Sequence, residues 1–187
     1  MQADTVLVLG DSISAAYGIQ RAQGWVALLA QKLALLDDTH QVVNASISGE
    51  TTGGGLARLG TMLALHKPDI LILELGGNDG LRGYPIDRIQ ENMRNMVELA
   101  QTAGADVLIL GMRIPPNYGT RYTEAFYNIY QNLAKKAGTR LIPFFMEGIG
   151  DQPELMQSDQ VHPTSKAQPM LLASVWVQLL KMIGIQG

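Results

Sequence analysis

"TVLVLGDSISAAYG", residues 5–18, sets an apolar run against an abrupt polar stop. Val6, Leu7, Val8 and Leu9 read as a buried strand, and Gly10, Asp11 and Ser12 end it. Gly-Asp-Ser is good turn chemistry, and Ser or Asp caps a following helix. The same turn can equally present the Ser12 hydroxyl to a substrate. What repeats further along the chain decides between the two.

The apolar run recurs at 41–45 (QVVNA), 69–75 (DILILEL), 105–111 (ADVLILG) and 139–145 (TRLIPFF). The third and fourth runs are nearly continuous in Ile, Leu and Val, as in strands of a parallel sheet covered on both faces. Helical patterns lie between them. Residues 22–36 carry Trp25, Leu28, Leu29 and Leu33 on one face, and 51–65 begin with Thr51 as a cap. Residues 86–103 follow Pro85 and stop at Gly104, 121–137 stop at Gly138, and 164–183 close the chain. These are the expected boundary residues. Five β-α repeats predict an α/β fold: a three-layer α/β/α sandwich around a five-stranded parallel sheet of flavodoxin-like order 2-1-3-4-5. No linker, repeat or second domain interrupts the pattern, so residues 1–187 are expected to form one domain.

Composition narrows the function. The 187 residues are 47% hydrophobic and 17% charged, ordinary for a globular protein. The formal net charge is −3, and no basic block is present, which argues against nucleic acid as a partner. No run of 18 or more apolar residues suggests a membrane span. Without cysteines there is no disulfide, thiolate metal site or cysteine nucleophile. No signal peptide is visible. "TTGGGL" at 51–56 is Gly-rich, but it lacks the Lys-Ser/Thr of a P-loop and follows the second strand rather than the first.

In such sheets the ligand crevice lies outside the carboxyl ends of the strands. The strand ends there carry Gly10-Asp11-Ser12, "NASISGET" (44–51), "GGNDGLRG" (76–83), "RIPPNYG" (113–119) and, after a long loop, "SDQVHP" (158–163). Of three histidines, His40 and His66 precede strands and belong to the opposite edge, where they read as surface or helix-end residues. Only His162 falls on the carboxyl edge. Serine is a weak nucleophile until a base takes its proton, and neutral imidazole does so near pH 7. The imidazole needs a third group on Nδ1–H, and Asp159, three residues upstream, can reach it from the same turn. Acyl transfer also needs donors for the oxyanion. The candidates are the Gly49 N–H, the Asn78 side-chain amide and the Ser12 N–H.

The four blocks "GDSIS" (10–14), Gly49 in "NASISGET", "GGND" (76–79) and "DQVHP" (159–163) together resemble the SGNH family of GDSL hydrolases. Longer segments, "LELGGNDGLRG" and "PFFME" among them, resemble its bacterial thioesterase, lysophospholipase and arylesterase members. The resemblance implies a serine hydrolase of acyl esters and thioesters, with Ser12 as nucleophile, His162 as base and Asp159 as its partner. Gly49 and Asn78 would complete the oxyanion hole with the Ser12 N–H. It also implies no cofactor or metal and a periplasmic or secreted enzyme whose leader has been removed; composition leaves a cytoplasmic location open. One departure stands out: the family usually has Asp-Gly-x-His-Pro, whereas Gln160 follows Asp159 here.

The substrate is expected to be a small acyl ester, thioester or lysophospholipid, without stable membrane insertion and with a monomeric enzyme. Ile13, Leu81, Tyr84, Ile114 and Pro115, with Pro116 and Tyr118, are the apolar candidates for an acyl groove. Arg82, Arg113 and Arg121 are candidates for a phosphate headgroup. Three alternatives remain at this level: a carbohydrate O-acetylesterase of the same family, a non-enzymatic flavodoxin-like binding module, and a metal hydrolase using Asp11, Asp79 and His162.

Overall fold

The computed structural model describes residues 4–37 and 39–184. Five strands, β1 (Thr5–Gly10), β2 (Gln41–Asn44), β3 (Ile70–Glu74), β4 (Asp106–Leu110) and β5 (Arg140–Ile142), form one sheet. Its order is β2-β1-β3-β4-β5, as the sequence predicts, and every pairing is parallel. The central strands are covered on both faces, and Leu7, Leu9, Leu71, Ile72 and Leu73 are fully buried. That double burial is why their sequences run apolar without alternation.

Six α-helices flank the sheet: α1 (Trp25–Ala34), α2 (Thr52–His66), α3 (Gly77–Leu81), α4 (Ile86–Thr102), α5 (Thr120–Ala137) and α6 (Gln168–Met182). Helix α1 packs on α6, while α2, α4 and α5 pack in series. Thr51 caps α2 as predicted, its hydroxyl accepting the Gly54 N–H at 3.3 Å. The predicted helices 22–36 and 164–183 each begin instead with a short 3₁₀ turn, at Arg21–Gln23 and Ser165–Ala167.

Three local expectations are corrected. The fifth strand stops at Ile142 rather than 145, because Pro143 has no N–H to extend a ladder. Its carboxyl end is instead bound by Gly111, whose N–H donates to Ile142 O at 2.8 Å and whose carbonyl accepts from Phe145 N at 2.8 Å. "GGNDGL" (76–81), expected only as the end of the third strand, opens the short helix α3, entered through Gly76 at φ 110°. A Cβ there would collide with the Tyr130 hydroxyl. His40, read as a surface or helix-end residue, is buried, and its Nδ1 accepts the Asp4 N–H at 3.1 Å.

Candidate active site

The β1 turn is built around a buried carboxyl. Asp11 Oδ1 accepts the Ile13 N–H at 3.1 Å, an Asx turn that folds the backbone sharply after Gly10. The strand end must be glycine here: a Cβ at Gly10 would lie 2.7 Å from Glu74 Oε2 and 2.8 Å from Ser14 Oγ. Ser12 sits on top of this turn.

The loop after β5 travels the width of the sheet to reach it. An isolated antiparallel bridge between Met156 and Pro163 closes the loop's base, and Thr164 N donates to Leu155 O at 2.7 Å. Gln157 then ties it to the β1 turn, with Nε2 donating to Tyr17 O at 2.8 Å and to Pro163 O at 3.0 Å. At the tip, Asp159 Oδ1 accepts from the Val161 and His162 N–H groups, both at 3.0 Å. Its Oδ2 meets His162 Nδ1 at 2.7 Å, and His162 Nε2 lies 2.9 Å from Ser12 Oγ. Residues 150 positions apart thus stand in one hydrogen-bonded line. The Tyr17 ring supports the imidazole from one side, with centroids 4.5 Å apart. The His162 side chain, then the Val161 and His162 amides, hold the Asp159 carboxyl down at about 2.

Gln160 occupies the position where the family usually has glycine, and it adopts φ 59°. The turn keeps its left-handed residue, with a side chain on it.

The other predicted residues converge on the same spot. Asn78, in the first turn of α3, donates its Nδ2 hydrogens to Asp11 Oδ2 at 3.1 Å and Glu50 O at 3.0 Å. Gly49 lies on the β2–α2 loop at φ 79°. Among the described residues, neither the Ser12 nor the Gly49 N–H has a hydrogen-bond acceptor. A cleft of about 640 Å³ opens beside Ser12, lined by Ile13, Leu81, Ile114 and Pro115. Tyr84 does not line it. Its ring lies under Arg88 at 5.9 Å, and its carbonyl accepts the Tyr122 hydroxyl at 2.6 Å. Pro116 and Tyr118 also fall outside the lining.

Sequence reasoning missed the cleft's floor, where Met112, Phe144 and Met146 line it from the ends of β4 and β5. Of the three arginines, Arg113 alone lines the cleft, its guanidinium 4.3 Å from the Tyr127 centroid and 5.4 Å from that of Phe144. Arg82 instead donates to Gly49 O at 3.3 Å. The residues of the metal alternative are not gathered into a ligand set. Asp79 spends both oxygens on Thr52, at 2.9 Å from its N–H and 2.6 Å from its hydroxyl. Among the described residues, no group of three or more His, Asp or Glu could hold a metal ion.

A strand-end serine, a histidine from a loop on the far side of the sheet, and the Gly49 and Asn78 nitrogens are therefore on one edge. The model of the GDSL-like lipase/acylhydrolase family matches residues 8–168. The chain belongs to this family. The esterase TesA of Pseudomonas aeruginosa is 51% identical over 181 residues, covering 97% of this chain and 90% of that protein. Thioesterase 1/protease 1/lysophospholipase L1 of Escherichia coli K12 is 44% identical over 97% of this chain and 86% of that protein. A crystal structure of TesA superposes with a TM-score of 0.92 at 52% identity, covering 95% of this chain and 99% of that one. This GDSL hydrolase is an ester hydrolase built on a parallel sheet of order β2-β1-β3-β4-β5.

Proposed function

We propose that Ser12, His162 and Asp159 act as a catalytic triad for hydrolysis of acyl esters and thioesters through an acyl-enzyme. The single observation that carries this is the line Asp159 Oδ2–His162 Nδ1–His162 Nε2–Ser12 Oγ, at 2.7 and 2.9 Å. Asp159 fixes the tautomer that leaves Nε2 able to take the Ser12 proton. Ser12 Oγ then bonds to the acyl carbon. As the leaving group's C–O or C–S bond breaks, His162 returns the proton to it. Water, deprotonated by the same imidazole, cleaves the acyl-enzyme and restores Ser12. The carbonyl oxygen carries the negative charge in between, and the Ser12 and Gly49 N–H groups with the Asn78 amide are its donors.

Ile13, Leu81, Ile114, Met112 and Phe144 make the cleft suitable for an acyl chain, each buried CH₂ contributing ~0.8 kcal/mol. Arg113, at the same cleft, suits the phosphate of a lysophospholipid or a CoA. We assign the enzyme to the periplasm and to a monomeric state from its resemblance to the thioesterase members. Cell fractionation and light scattering test those two assignments.

The test of function is hydrolysis of p-nitrophenyl esters from acetyl to palmitoyl, with palmitoyl-CoA as the thioester. Activity on medium and long chains and on the thioester is expected. Ser12→Ala should lower kcat by roughly 10⁴–10⁶-fold, and Asn78→Ala by about 10²–10³-fold. Cleavage of acetate alone would leave the triad and overturn the lipid assignment. Full activity in Ser12→Ala would remove the triad.

A further inference from the structure

Glu74 is the last residue of β3, directly beneath the β1 turn, and it is 0% exposed. A carboxyl there is costly unless its oxygens are satisfied. Its Oε2 is: it accepts the Asp11 N–H at 3.2 Å and the Ser14 hydroxyl at 2.7 Å. Its Oε1 has no donor among the described residues. The Glu74 side chain is hydrogen-bonded to a second carboxyl, that of Asp11, itself 3% exposed. Burial pushes Asp11 up to about 6, and burial together with the Asp11 charge pushes Glu74 well above its ordinary range.

The remaining titratable groups around the pair do not neutralise it. Tyr130, from α5, donates its hydroxyl to Leu75 O at 3.1 Å, and burial drives its phenol upward. Asp79, from α3, is bound to Thr52. His162 acts on Asp11 from across the turn. Among the described residues, no Lys or Arg is ion-paired with either carboxyl. Two like charges in contact and out of water cannot both persist, so the pair holds one proton. Oε1, the oxygen without a donor, is where that proton belongs.

We propose that Glu74 is a positioning residue: a neutral carboxylic acid that donates to Asp11 and, through Asp11, sets the aim of the Asn78 amide. This rests on Asn78 serving as an oxyanion donor. Both hydrogens of that amide are already committed, to Asp11 and to Glu50 O. An oxyanion has to share one of them. An unshared Asp11 carboxylate would hold the amide for itself and repel the oxyanion. A proton donated by Glu74 draws negative charge away from Asp11 and loosens that competition, while the Asp11 turn stays in place.

Glutamine reproduces the neutral acid, with a carbonyl to accept from Asp11 N and Ser14 and an amide to donate to Asp11. Leucine does not. Active sites are first counted by stoichiometric labelling with a p-nitrophenyl phosphonate, so that misfolded protein does not enter kcat. Glu74→Leu should lower kcat by about 10–100-fold with KM little changed, a part of the 10²–10³-fold carried by a whole oxyanion donor. Glu74→Gln should restore most of that loss. Infrared spectra of the wild type at neutral pH should show a protonated-carboxyl carbonyl stretch that shifts in D₂O and vanishes in Glu74→Gln. Absence of that band, a glutamine variant as slow as the leucine variant, or an unchanged kcat in Glu74→Leu would each overturn the proposal. Failure of the phosphonate to label wild-type Ser12 would instead mark failure of the triad reading.

Discussion

Gln160 shows what one residue costs and what it leaves intact. Its φ of 59° lies in the left-handed region, which penalises any residue with a Cβ. The turn tolerates it because Gln160 N donates to Gln157 O at 2.9 Å and because Asp159 Oδ1 accepts the N–H groups of Val161 and His162, the two residues that follow. Gln160→Gly should therefore stabilise the fold by about 0–1.5 kcal/mol, the left-handed penalty of about 1–2 less glycine's backbone entropy of about 0.5–1. The shift in urea midpoint at constant slope measures it. A lower midpoint would mean that the glutamine side chain contributes more than its backbone costs.

At the scale of elements, the long loop between β5 and α6 delivers His162, and its alignment depends on Gln157. The Gln157 amide bridges the loop to the β1 turn through Tyr17 O and Pro163 O. Gln157→Ala removes both bonds without touching substrate. A loosened His162 should lower kcat by about 10-fold, given that 1 Å of misplacement can cost about 10²-fold. Steady-state kinetics with p-nitrophenyl butyrate tests this, and an unchanged kcat would show that the Met156–Pro163 bridge suffices. The same element explains what the sequence made legible. Strand runs and helix boundaries are local patterns, and they place Ser12 and His162 on one edge through topology alone. Met112, Phe144 and Met146 were not legible, because they reach the cleft from strand ends where side-chain direction depends on how the chain turns. Helix α3 was hidden by glycines that favour a turn reading. Glu74 did leave a trace, a single carboxylate inside "DILILEL", but only the structure shows what it meets.

For the whole molecule, three carboxyls, one exposed and two buried, set how stability responds to pH. Asp159 and the Glu74–Asp11 pair act in opposite directions. Asp159 is held at about 2 against an ordinary 3.8, so its contribution is present above pH 4 and disappears as pH falls toward 2. Glu74 is raised well above its ordinary 4.5, and Asp11 is raised from 3.8 to about 6. Below about pH 3 both are largely protonated in the folded and unfolded chain alike. As pH rises, the unfolded chain releases protons that the folded chain keeps, so stability falls. The slope is about 1.4 kcal/mol per pH unit for each retained proton. Glutamine at 74 has no such proton to retain. Urea unfolding of wild type and Glu74→Gln should therefore differ least near pH 3, with the gap widening in the variant's favour toward pH 7. A gap that does not change with pH would mean that Glu74 ionises in the folded state as readily as in the unfolded chain. The burial argument for a neutral acid beneath the oxyanion site would then fail.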